Sequence, residues 1–257
     1  MPATATTTYT REGGVGRIVI DRPPVNVLDL ALMERLDQAL ADAAADPALR
    51  VLAITGAGKA FCAGVDVADH TADRVGRMLS LFHGLVRRLL SIEAPVVAVV
   101  HGATLGGGCE LAIACDMVLA REDLKLGQPE IQLAVFPPVA AALLPRLVGR
   151  QRALDLILTG RLLGADEALA LGLVNRVFPA AEFDAGVRTV LEDLAAKSGP
   201  ALRLAKRAVT LGEPLPFGPA LVEAEALYLG ELMELPDAHE GLAAFVEKRP
   251  PTWRQPA

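Results

Sequence analysis

Short apolar runs of strand length alternate with helical periods through the first half of the chain, and that order most narrows the fold. Residues 17–21 (Arg-Ile-Val-Ile-Asp), 51–55, 95–100 and 116–120 are such runs. Between them, residues 30–45 carry apolar side chains at helical spacing behind Asp29, a residue suited to cap a helix. Residues 73–91 do the same through Val75, Met78, Leu79, Phe82, Leu85, Val86 and Leu89. Strands separated by helices pair in parallel through crossovers, so the class predicted is α/β. From residue 139 onward only helical periods are read, at 139–148, 150–158, 165–170, 180–197, 200–211, 216–234 and 237–247. Ser198-Gly-Pro200 is the expected boundary, because Pro200 suits the first turn of a new helix. The chain then divides into a core, residues 1–197, and a helical region, residues 198–257. The second is too small and too apolar to stand alone, and is expected to pack on the core or on another subunit.

Hydrophobic residues make up 52% of the 257, but aromatic ones only 4%, so Ala, Leu and Val must build the core. The 25 basic residues against 31 acidic ones leave a net charge of −6, which argues against nucleic acid as the main partner. The Thr-rich start does not read as a secretory leader. No run reaches the roughly 20 apolar residues of a membrane helix. Cys62, Cys109 and Cys115 are odd in number and lack Cys-x-x-Cys spacing, so reduced thiols in a cytoplasmic protein are expected, with no metal site.

Two glycine-rich stretches bear on chemistry. Thr55-Gly-Ala-Gly-Lys-Ala60 fails as a phosphate loop, since Ala53 stands where the first Gly is needed and Ala60 where Ser or Thr is needed. No dinucleotide fingerprint stands between a strand and a helix. Leu105-Gly-Gly-Gly-Cys-Glu110 directly follows an apolar strand. A helix starting near Gly107 would offer free N–H groups to a ligand oxygen, with Glu110 in its first turn. Tight helix–strand packing explains the same glycines and remains open at this point. Gly127-Gln-Pro-Glu130 supplies a second carboxylate, and two carboxylates on ordered turns can serve as general base and general acid.

Lys59-Ala-Phe-Cys-Ala-Gly-Val-Asp66, His101-Gly-Ala-Thr-Leu-Gly-Gly-Gly-Cys-Glu110 and Gly127-Gln-Pro-Glu130 together resemble the crotonase (enoyl-CoA hydratase/isomerase) superfamily. The stretch from Arg161 to Ala168, Gly172-Leu-Val-Asn175 and Ala243-Ala-Phe-Val-Glu-Lys-Arg249 extend the likeness over nearly the whole chain. The resemblance implies a spiral of ββα units followed by a helical trimerisation region, assembled as a homotrimer or dimer of trimers. It implies an acyl-CoA substrate and no cofactor beyond that CoA. The N–H groups of Val65 and Gly107 would form an oxyanion hole. Glu110 would take a proton from water attacking the β-carbon, while Glu130 delivers one to the α-carbon. CoA would meet the backbone at Ala63 and Val65, with Lys59, and with Phe245 and Lys248 reaching from a neighbouring subunit.

After Glu130 the family commonly has a Gly-rich turn, but this chain has Val135-Phe-Pro-Pro-Val-Ala-Ala141. Two prolines stiffen that loop, and Phe136, Pro137 and Val139 would wall an apolar acyl pocket with His70 and Phe82. In these features the chain is similar to the cyclic dienoyl-CoA hydratases of the cyclohexa-1,5-diene-1-carbonyl-CoA type. Enoyl-CoA isomerisation and acyl-CoA binding without catalysis stay open beside hydration.

Overall fold

The chain enters on a hairpin of β1 (Tyr9–Glu12) and β2 (Val15–Ile20), in a computed structural model that describes residues 6–254. Helix α1 (Leu30–Ala44) starts where Asp29 accepts the Leu32 N–H at 2.8 Å, and buries Leu32, Met33, Leu36 and Leu40 along one stripe. After β3 (Val51–Gly56) and a 3₁₀ turn (Val67–His70), α2 (Val75–Ser91) packs on α1 and buries Met78, Phe82, Leu85 and Leu89. Then β4 (Val96–Val100) and β5 (Ala103–Leu105) lead into α3 (Gly107–Ile113). The same order returns in β6 (Met117–Arg121), β7 (Lys125–Gly127), a 3₁₀ turn (Pro129–Leu133) and α4 (Pro138–Val148). The chain continues through α5 (Arg150–Thr159), β8 (Leu162–Gly164), α6 (Ala165–Ala170), β9 (Arg176–Phe178) and α7 (Phe183–Ala195). Helices α8 (Gly199–Gly212), α9 (Phe217–Gly230) and α10 (Pro236–Glu247) close it.

The strands form two sheets. The larger has the order β1-β2-β3-β4-β6-β9 and is parallel except at β1; the smaller is β5-β7-β8. Each turn of the spiral therefore sends one strand to each sheet, β4 then β5, β6 then β7. Cys62 extends the small sheet by a parallel bridge to Thr104. Alternation along the large sheet sorts its core. Val15, Val51, Ala53, Val97 and Val99 face α7, while Ile18, Ile20, Leu52, Ile54, Val96 and Ala98 face the main core.

The expectation of helices alone after residue 139 is corrected by β8 and β9. Each is three residues long, too short to show a period, and is a strand because the edges of β7 and β6 offer it backbone partners. The segment read as one helix over 216–234 is α9 followed by a 3₁₀ turn (Leu232–Glu234). No helix among the described residues is long and apolar enough to cross a membrane.

Helix α8 begins with Ser198 accepting the Ala201 N–H, and is anchored to the core mainly by two long cations. Arg203 reaches the carbonyls of Pro47 and Leu49. Lys206 Nζ lies 2.6 Å from Asp116 and 2.8 and 3.2 Å from the carbonyls of Ile92 and Ala94. Lys206→Met strips a charged donor from three acceptors and is expected to cost about 2 kcal/mol. The measurement is the urea midpoint, and a midpoint equal to that of the parent chain would mean that α8 is held by other contacts.

Candidate active site

The glycine run between β5 and α3 sits where several segments crowd together. Gly106 has φ 50° and ψ −124°, a conformation essentially reserved for glycine, and its N–H donates to the Gly127 carbonyl at 2.9 Å. A Cβ there would strike the Glu130 carboxylate. One on Gly107 would lie 2.8 Å from Val65 Cγ2 and 3.2 Å from the Phe82 ring, and one on Gly108 would strike the Cys62 carbonyl. Close packing, left open by the sequence, is thus part of the answer.

It also aligns two donors. Leu28 bridges Val65 in parallel: the Leu28 N–H donates to Gly64 at 2.9 Å and the Asp66 N–H donates to Leu28 at 2.8 Å. Backbone alternation then turns the Val65 N–H to the opposite side. The Gly107 N–H opens α3, where the first N–H groups of a helix have no partner within it. Among the described residues neither N–H has an acceptor. A Cβ on Gly64 would sit only 3.7 Å from the Gly107 nitrogen, so the two segments touch beside a cavity of about 550 Å³ that both residues line.

Glu110 projects from α3 into this cavity at 3% exposure. Its Oε1 accepts the Ala140 N–H at 2.8 Å, and the Val139 N–H also turns to it, so the start of α4 holds the carboxylate. Burial nevertheless prevails. It pushes the Glu110 pKa up to about 7, the charge of Glu130 adding to the rise and the two N–H groups opposing it. Burial raises Glu130 as well, against its own backbone N–H and the nearby His70. Gln128, 1% exposed, turns its amide nitrogen to within 3.2 Å of both Glu130 oxygens in the orientation that satisfies both groups. Burial also raises the Cys62 and Cys109 thiols, which therefore stay protonated.

The cavity brings Glu110 and Glu130 together with Val65, Gly107 and Ala63. Phe82, Phe136 and Pro137 stand in its apolar wall, and His70 stands exposed beside them with Nδ1 3.1 Å from the Asp66 carbonyl. Val139 is not in the lining: its side chain packs on the main core, and Leu133 and Val135 stand in the wall instead. The reason is that Pro137-Pro138 is less a free loop than the entry to α4, with Pro138 in the first helical turn, where proline is favoured. Lys59, on the exposed turn after β3, lies outside the lining, as do Phe245 and Lys248 at the exposed end of α10. Gln128 and the N–H groups of Val139 and Ala140 escaped the sequence reading. A polar residue beside Glu130 was a visible hint of the first, whereas the second depends on where α4 starts.

An infrared pH titration is expected to show one carboxyl band, absent from Glu110→Gln, that converts to carboxylate near pH 7. Conversion of that band in the ordinary glutamate range would mean that the side chain is hydrated rather than buried.

Residues 10–256 match the family model described as "Enoyl-CoA hydratase/isomerase". The chain is 39% identical over 243 residues to cyclohexa-1,5-dienecarbonyl-CoA hydratase of Thauera aromatica, covering 95% of this chain and 94% of that one. It is 35% identical over 246 residues to the short-chain-enoyl-CoA hydratase of Clostridium acetobutylicum, covering 93% and 94%. The crystal structure of an enoyl-CoA hydratase from Bacillus anthracis matches with a TM-score of 0.92 at 35% identity, over 97% of this chain and 99% of that one. With such agreement along almost its full length, the chain belongs to the enoyl-CoA hydratase/isomerase family.

Proposed function

We propose that this protein hydrates the conjugated double bond of an enoyl-CoA thioester, with a cyclic dienoyl-CoA as the preferred substrate. The observation that carries the reading is the convergence of a buried carboxylate, a half-buried one and two unclaimed N–H groups on one cavity. The Val65 and Gly107 N–H groups would hold the thioester oxygen as it gains charge, each donor being worth about 3 kcal/mol in the transition state. Glu110 as carboxylate takes one proton from water while the hydroxyl oxygen bonds to the β-carbon. Glu130 as acid gives its proton to the α-carbon. Return of a proton from Glu110 to Glu130 resets the pair. This acid–base chemistry asks for no group beyond the CoA thioester itself.

The preference for a ring rests on the wall built by Phe136, Pro137 and Pro138, and on the likeness to the Thauera enzyme. Proline at both positions restricts the wall's movement, and a flat apolar ring loses less on entering such a slot than a flexible chain. For the CoA, the Ala63 and Val65 backbone and Lys59 are the nearest candidates in the same chain. Val209, Phe217, Val222, Leu229, Phe245 and Val246 leave the helical region richly apolar and exposed. That surface supports assembly into a trimer or dimer of trimers, in which Phe245 and Lys248 serve a neighbour's CoA.

Loss of the conjugated thioester absorbance, with crotonyl-CoA and cyclohexa-1,5-diene-1-carbonyl-CoA offered separately, tests both parts. A higher kcat/KM on the ring is expected; the reverse order would remove the ring preference and keep the hydration, and no loss with either would remove the reading. Glu110→Gln and Glu130→Gln are each expected to lose about 100- to 10,000-fold in kcat while binding product within a few-fold. The charge of Glu130 helps raise Glu110, so above about pH 7 both carboxylates are ionised and the pair no longer holds the single proton the mechanism uses; kcat/KM is therefore expected to fall as pH rises through about 7. A profile flat from pH 5 to 8 would take Glu110 out of the base role.

A further inference from the structure

Asn26 lies outside the cavity lining and has no part in the chemistry above, yet its placement is costly. It is 1% exposed and holds φ at 57°, the left-handed region that Asn tolerates better than most residues with a side chain. Its Nδ2 donates to the carbonyls of Ala57, Ala60 and Phe61 at 2.9, 2.8 and 3.2 Å. Its Oδ1 accepts the Arg22 N–H at 2.9 Å, which settles which way the amide faces. One carboxamide thus satisfies four backbone groups. Three of them belong to the loop running from β3 toward Val65.

The neighbours of Asn26 hold the next residues of that loop. The Ala63 N–H donates to the Val25 carbonyl at 2.9 Å, and Leu28 takes the Gly64 carbonyl and the Asp66 N–H through the bridge already described. Arg22 secures the segment from outside, its guanidinium 2.8 Å from the Val27 carbonyl and 3.0 Å from Asp29. Residues 25–28 are therefore a template against which the loop is laid, and the Asn26 amide sets the loop's register on it. The direction of the Val65 N–H follows from that register.

We infer that Asn26 is a positioning residue for the oxyanion-hole donor of Val65. The inference rests on the hydratase reading, since the oxygen to be met is that of the thioester. Without the amide, three carbonyls and an N–H lose their partner in a buried place, and the loop must shift to recover it. A displacement of an ångström is enough to take a donor off a developing charge.

The test uses Asn26→Asp, which keeps size and left-handed tolerance but turns an acceptor toward three carbonyls. Asn26→Gly keeps the backbone freedom and removes the amide, and Asn26→Ser leaves a single hydroxyl. Each is assayed for kcat and KM. Each is also combined with Glu110→Gln, so that bound crotonyl-CoA persists and the red shift of its absorbance reports polarisation of the thioester carbonyl. Expected for variants that fold are a loss of about 10- to 100-fold in kcat, a KM within about three-fold, and a reduced red shift. Folded variants with the parent's kcat and red shift would overturn the inference. So would failure of all three to fold, which would make Asn26 a residue of folding alone. A parent chain that polarises the bound thioester without hydrating it would sink the hydratase reading and leave the positioning role standing.

Discussion

Around Gly106, Gly107 and Gly108 the packing leaves no space for a Cβ, and each glycine is pressed by a different neighbour. The Glu130 carboxylate lies against the first, Val65 and Phe82 against the second, and the Cys62 carbonyl against the third. Each glycine costs about 0.5–1 kcal/mol relative to alanine in lost backbone freedom. What that cost secures is proximity: one loop's N–H beside a helix's first N–H, with one carboxylate a turn into that helix and another across the gap. The two sheets matter to the site chiefly because they deliver these segments. Cys62 joins the small sheet beside β5, which fixes how far Val65 stands from Gly107.

The same crowding sets the electrostatics. Glu110 stands in the first turn of α3 and against the first turn of α4, so two helix starts favour its charge. Such helix ends contribute about 0.3–1 kcal/mol each, whereas a pKa near 7 means a net penalty on the carboxylate of about 3 kcal/mol. Desolvation outweighs both helices. The balance leaves a group that gains and loses a proton near neutrality, a property that the proposed proton transfers would use.

Much of this was legible in the chain itself. Strands β2, β3, β4 and β6 are runs of five or six mostly apolar residues between turn signals, and Asp29 marked the start of α1 because a carboxylate before an amphipathic stripe has a local job. Strands β5, β7, β8 and β9 leave no such mark, since they exist through backbone pairing that no side-chain period encodes. Glu110 and the glycine run stood out because their residue types are unusual after a buried strand. Val139 misled: apolar beside two prolines, it read as wall, but α4 begins at Pro138 and rotates the side chain into the core while offering its N–H to the site. Lys59, Phe245 and Lys248 entered through likeness to relatives, and in a single chain they stand apart from the cavity.

The closing contacts of the chain have a bearing on when it can fold. Lys206 finishes the ends of β4 and β6 by binding the carbonyls of Ile92 and Ala94 and the Asp116 carboxylate, ninety or more positions earlier. Arg50 meets the carbonyl of Ala195, 145 residues on, and the Trp253 indole donates to Ala196 at 2.7 Å. These are contacts of long sequence separation, whose loop-closure cost falls before their reward. A chain emerging from the ribosome can assemble its sheets turn by turn, but it cannot seal them until residues 195–206 have cleared the exit tunnel. Completion thus comes late, and the apolar helices after residue 198 are exposed to neighbouring chains as they emerge.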